Sequence, residues 1–275
     1  MTRVPRLPRS GTIADHPFVC YGTGPPLIVI PGVNDPLLPA GERRWVDGVL
    51  AGYCYRQAKA CVAAGAPRTV YYVSRPADTT ARTVTEMADG YRAVLDTLGR
   101  ADVLGISMGG FVSLALARAD SRVKSLALGL AAARLSRHGR ESVTTWREWA
   151  SDGAWRRLYA AGLDTVTSGW RRRVATATIP LLVHGRDTPT DRFRRSLTAA
   201  AAFDATPWLG ELSVHTLVVG GTADPFFTAT AFARTADALG CRYERLDGWG
   251  HDVLVDAGEL VDEPVASFLA GDRER

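Results

Sequence analysis

The stretch ADVLGISMGGFVSLALARA, residues 101–119, decides the fold. Its first seven residues form a short, largely apolar run, as a strand buried on both faces would read. The next twelve are apolar around the whole helical circumference, which predicts a buried helix. Gly105-Ile106-Ser107-Met108-Gly109 sits at the junction. A G-x-S-x-G turn between strand and helix holds its serine in a strained conformation with the hydroxyl proud of the sheet. Small residues two before and two after let the strand and helix close around it. The pentapeptide alone is common by chance; between this strand and this helix it is specific.

Working outward, the same alternation continues on both sides. Upstream, PRSGTIAD and HPFVCYGTGPP read as extended pieces separated by turns. PLIVIPG (26–32) is a second buried strand, residues 45–64 a helix, and TVYYVS (69–74) a third strand closed by Arg75-Pro76. Val84, Met87, Ala88, Tyr91, Leu95 and Leu98 recur at helical spacing, and Gly99 stops that helix. Downstream, VKSLALGLA (123–131) is another strand. The alternation resumes with SVHTLVVGG (213–221), a helix over 229–239, strand CRYERLD (241–247) and a final helix over roughly 263–270. Strands alternating with helices call for a mostly parallel sheet covered on both faces, a doubly wound α/β fold.

With these segments in place, the sequence resembles the α/β-hydrolase fold family over nearly its whole length. In that family the partners of the nucleophile follow it in the order acid, then histidine. Gly221-Thr222-Ala223-Asp224-Pro225 ends the strand HTLVVGG and matches the family's acid turn. Gly248-Trp249-Gly250-His251-Asp252 follows CRYERLD and matches its histidine loop. The resemblance implies Ser107 as nucleophile, His251 as its base and Asp224 as the acid that orients the imidazole. Asp187, at the end of IPLLVHGRD (179–187), is a rival acid, but a further strand-turn-Asp unit lies between it and His251. The resemblance also implies an oxyanion hole from the backbone N–H groups of Met108 and Val33. Family members often carry His-Gly where this chain has Pro31-Gly32. Asn34 or Asp35 could replace the missing side chain, or both are simple turn formers in VNDP.

Residues 132–207 interrupt the alternation. Residues 1–131 and 208–275 read as the core domain, and the interruption as a helical cap inserted over the site, as in the family. It carries Trp146, Trp149, Trp155 and Trp170, with Trp208 just beyond its end. The plain reading of these tryptophans is packing; the functional one makes Trp146, Trp149 and Trp170 the lining of an apolar acyl pocket.

The composition fits an ordinary globular protein, with 46% hydrophobic and 23% charged residues. The 33 basic residues are all arginine except Lys59 and Lys124, which points to coding bias and not to nucleic-acid binding. Residues 131–207 hold 13 arginines against 7 acidic residues, so the excess positive charge lies in that one stretch. Its arginine runs read as a solvated face, or as a site for an anionic substrate group or an acidic carrier protein. No run approaches a membrane span. Four cysteines without metal or disulfide spacing, and an N-terminus without an apolar leader core, read as a reduced cytoplasmic protein. No cofactor or metal is called for; the partners are a small-molecule substrate and, further off, a carrier protein or a second copy of the chain.

The expected activity is hydrolysis of a carboxylic ester or lactone by a serine hydrolase. A thioesterase or acyltransferase is the alternative enzyme, and a catalytically weak ligand-binding homologue the alternative class.

Overall fold

The computed structural model describes residues 8–167, 173–174 and 190–271. Eight strands form one sheet: β1 (Arg9–Ile13), β2 (His16–Gly22), β3 (Pro26–Ile30), β4 (Thr69–Val73), β5 (Ala101–Ile106), β6 (Val123–Gly129), β7 (His215–Gly221) and β8 (Arg242–Leu246). Their spatial order is β1-β2-β4-β3-β5-β6-β7-β8. The β1–β2 and β2–β4 pairs are antiparallel, and every other pair is parallel. The sheet is therefore mostly parallel, with an antiparallel hairpin at one edge.

Alternate residues of each central strand serve opposite faces, which is why these strands read as continuous apolar runs. Leu27 and Val29 pack with Cys54, Ala58 and Cys61 of α1 (Arg44–Ala63) and with Val261, Val265 and Phe268 of the last helix. Ile28 and Ile30 pack on the other face with Met87 and Tyr91 of α2 (Val84–Leu98) and Phe111 and Leu114 of α3 (Met108–Ala119). The start of α2 is held by a capping box between Thr83 and Glu86, and its end by Gly99 at φ +75°. All four cysteines are free thiols, and burial pushes Cys54 up to about 12.

Between β6 and β7 lie α4 (Arg137–Ser151), α5 (Trp155–Val166) and α6 (Thr190–Ala202). Val143, Trp146, Leu158, Phe193 and Leu197 from these helices belong to the same buried cluster as Ile30 and Phe111. This segment therefore shares one continuous core with the sheet. After β7 come α7 (Ala229–Leu239), a short α8 (Val253–Asp256) and α9 (Glu259–Leu269).

The start of α9 corrects the sequence expectation of residue 263. Asp262 N–H bonds the Gly258 carbonyl, so the helix is under way before Pro264, which lies in its interior. Proline there removes only one ladder donor, and burial of Val261, Val265 and Phe268 offsets that loss. No helix among the described residues is long and apolar enough to cross a membrane.

Candidate active site

The chain leaves β3 toward β4 on one side and returns through β5 on the other, so the strand order reverses between β3 and β5. Crevices at the carboxyl ends of strands form at such a reversal. The segment after β3 contains Gly32 and Val33, and the residue after β5 is Ser107.

Ser107 has φ +54° and ψ −123°, a region that non-glycine residues rarely occupy. The glycines around it are there for space. A Cβ on Gly105 would stand 2.6 Å from the Gly109 carbonyl oxygen, and one on Gly109 would stand 1.9 Å from that of Ile30. Neither backbone can retreat, so the turn requires glycine at both positions. Its product is a partly buried serine at the N-terminus of a twelve-residue helix, whose dipole favours negative charge at that end.

His251 and Asp224 reach the same place from β8 and β7. Ala223 N–H bonds the Trp249 carbonyl at 2.9 Å, and a Cβ on Gly221 would lie 2.0 Å from that same oxygen. The acid turn and the histidine loop are thus locked through backbone contact. Asp224 Oδ1 accepts the Phe226 and Phe227 amides at 2.8 and 3.0 Å. This leaves Oδ2 aimed at His251 Nδ1, 2.5 Å away, while His251 Nε2 lies 2.9 Å from Ser107 Oγ. Asp224 and His251 are buried, and the imidazole is flanked by the rings of Phe226 and Phe227. Three residues distant in sequence form one hydrogen-bonded line.

Gly32 packs against Ser107, since a Cβ there would lie 3.3 Å from the Ser107 Cβ. The amides of Val33 and Met108 are free of a backbone acceptor among the described residues. Asn34 precedes and Asp35 opens a 3-10 helix (Asp35–Leu37), where Asp35 is buried. Its Oδ2 accepts the Arg75 amide at 2.9 Å and pairs with the Arg75 side chain at 3.4 Å. Burial pushes the Asp35 carboxyl above its usual range, and Arg75 works against that rise.

A cavity of about 350 Å³ opens on Ser107, His251, Val33 and Met108. Its walls are mainly apolar, and Asn34 and Trp146 are among them. Trp149 is not: one helical turn beyond Trp146, at the end of α4, it packs half-buried against the core. Trp170 and the rival acid Asp187 lie outside the described residues.

One wall was missed by sequence reasoning. Trp45, Val46, Val49 and Leu50 of α1 face the cavity, as do Leu254 and Val255 just after the histidine. Val49 is 64% exposed and Trp45 38%. The available signal was a second apolar row, Trp45 and Val49, beside the buried row Val46, Cys54, Ala58 and Cys61. A helix that only covers a sheet needs one row.

Residues 27–263 match the model of the alpha/beta hydrolase family. No curated protein matches the chain in sequence. Among solved structures, the chain is similar to an alpha/beta hydrolase enzyme from a Medee basin deep-sea metagenome library. The two are 15% identical, 97% of this chain and 98% of that one are covered, and the TM-score is 0.76. It is similar also to an esterase from Exiguobacterium antarcticum, with 19% identity, coverage of 92% and 96% and TM-score 0.72. The enol-lactonase from Burkholderia xenovorans LB400 shows 21% identity, coverage of 95% and 99% and TM-score 0.70. At these identities the structural likeness establishes the fold alone, and the family rests on the sequence match. The chain belongs to the alpha/beta hydrolase family.

Proposed function

We propose that the chain is a serine hydrolase that cleaves a carboxylic ester or lactone of a small, largely apolar substrate through an acyl-enzyme on Ser107. The observation that carries this reading is the line Ser107–His251–Asp224, ending at the wall of an apolar cavity. The esterase and lactonase among its structural neighbours agree with it.

In this reading His251 Nε2 takes the Ser107 proton as Oγ bonds to the substrate carbonyl carbon. The carbonyl oxygen becomes an oxyanion held by the Val33 and Met108 amides at the positive end of α3. His251 then gives the proton to the leaving oxygen as the carbon–oxygen bond breaks. Water attacks the acyl-enzyme with His251 again as base, and the acid departs as Ser107 recovers its proton. Asp224 holds the Nδ1–H tautomer and stabilises the imidazolium throughout. The helices between β6 and β7 serve as the cap, with Trp146 and Asn34 facing the acyl group.

A fluorophosphonate probe tests the reading directly. It should add to Ser107, and p-nitrophenyl esters of short to medium acids should be hydrolysed at a rate that rises as the imidazole deprotonates. A chain that is neither labelled nor active on any such ester is not a serine hydrolase.

A further inference from the structure

Arg75 is almost wholly buried at 3% exposure, two residues past the end of β4, and takes no part in the line of Ser107, His251 and Asp224. Its guanidinium reaches both the loop after β3 and the residue that follows Ser107. Nη2 donates to the Gly32 carbonyl at 2.7 Å, and Nη1 lies 3.9 Å from the Met108 sulfur. Gly32 C=O and Val33 N–H are the two ends of a single peptide group. A charged donor on the carbonyl fixes the plane of that group, and so the direction of the N–H. It also draws electron density toward the oxygen, which makes the N–H at the other end a stronger donor.

The rest of the neighbourhood holds Arg75 in place. Asp35 Oδ2 accepts the Arg75 amide and faces its side chain, and Ser74 Oγ accepts the Ala40 amide at 3.0 Å. The segment from Gly32 to Ala40 is therefore pinned to Ser74 and Arg75 at three points. Burying this charge would be costly if its only purpose were packing, since an apolar side chain fills such a space at lower cost.

We infer that Arg75 is a positioning residue for the oxyanion hole: its guanidinium holds the Gly32 carbonyl and thereby aims and polarises the Val33 N–H toward the oxygen that becomes negative during acyl transfer. The inference rests on the serine hydrolase reading above.

The test uses Arg75→Lys and the double variant Asp35→Asn/Arg75→Gln, which removes both charges together and so leaves no unpaired carboxylate. Active sites are counted by fluorophosphonate titration. Then kcat, KM and the affinity for a trifluoromethyl ketone, which forms a tetrahedral oxyanion on the serine, are measured per titrated site. In the double variant kcat should fall by about 10- to 10²-fold, short of the full loss of an oxyanion donor, with KM within about threefold. Affinity for the ketone should fall by the same factor as kcat/KM. Arg75→Lys keeps a charged donor and should recover part of both losses. A purely structural role would instead lower the unfolding temperature or the count of titratable sites, with kcat per site and ketone affinity unchanged, and that result overturns the inference. A change in KM alone overturns it too. If the parent chain shows neither labelling at Ser107 nor ester turnover, the underlying reading falls and takes this inference with it.

Discussion

The two ends of the sheet each bury an arginine–aspartate pair, and the pairs are built differently. At the amino ends of the strands Arg68 Nε donates to Asp102 Oδ2 at 2.7 Å, and Ser125 donates to Asp102 Oδ1 at 2.6 Å. The remaining Arg68 nitrogens bond the carbonyls of Ala66, Pro67 and Leu269. Both carboxylate oxygens are satisfied. At the carboxyl ends, Arg75 Nε meets Asp35 Oδ2 only as an ion pair at 3.4 Å, Asp35 Oδ1 has no hydrogen-bond partner among the described residues, and Ser107 carries a positive φ close by. The first pair spends its hydrogen bonds on joining β4, β5, β6 and the C-terminal helix. The second stands in a region where groups are kept strained or only partly matched, as sites for ligands and chemistry are.

The comparison fails first if the two ends do not separate activity from stability. Ser107→Ala or His251→Ala should lower kcat by up to about 10⁶-fold, the two effects being far from additive. Unfolding temperature should hardly change in Ser107→Ala. His251→Ala also empties a buried site and strands the Asp224 carboxylate, so the stability comparison is made on Ser107→Ala. Ester hydrolysis and thermal denaturation measured on one preparation check this, and turnover near the parental rate in either variant would empty the carboxyl end of its role.

Next in size is the acid. Asp224→Asn should cut kcat by about 10⁴-fold by favouring the wrong imidazole tautomer, while Asp187→Asn stays within a few-fold. Steady-state kinetics that reverse this ranking would move the acid away from β7.

At the opposite end, Asp102→Ala leaves Arg68 buried and unpaired, at a cost of about 3–5 kcal/mol of stability. The unfolding transition in urea should shift accordingly, yet kcat per titrated site should match the parent. Lost stability together with lost kcat per site would mean that the two ends are coupled.

The smallest effect sharpens the picture of the carboxyl end. Asn34, Leu38 and Trp146 line both the cavity of about 350 Å³ and a smaller one of about 110 Å³ beside it. Trp146→Ala should join them and move the preferred acyl chain to one about two carbons longer. At ~0.8 kcal/mol per buried methylene, the longer ester should gain roughly tenfold in kcat/KM relative to the parent's best substrate. A chain-length series of p-nitrophenyl esters reads this, and an unchanged profile would make Trp146 a packing residue only.

Much of this was legible in the sequence because it is written in local pattern. Buried parallel strands such as PLIVI and ADVLGI are apolar on both faces, and Ser107, Asp224 and His251 each follow a strand in a Gly-marked turn. Arg75 was not legible. It reads as the residue that closes a strand, and its partner Asp35 lies 40 residues upstream, joined only through the strand order. The α1 wall was hidden for a related reason: Trp45 and Val49 belong to a helix whose main row covers the sheet, and only the tertiary placement brings their side to the cavity. The last helix begins earlier than its expected start at 263, because burial of Val261, Val265 and Phe268 holds a helix that carries Pro264 in its interior.

The backbone lock between Gly221 and Trp249 has a consequence in time. Ser107 and its imidazole partner are separated by 144 residues, so a ribosome adding about 5–20 residues per second needs roughly 7–30 s to pass from one to the other. Throughout that interval the Ser107 turn, built from contiguous chain, has no imidazole beside it. On the proposed mechanism, a nascent chain that has folded as far as β6 carries the serine without the histidine assigned as its base, so turnover would begin only when β8 joins the sheet and brings its loop against Gly221.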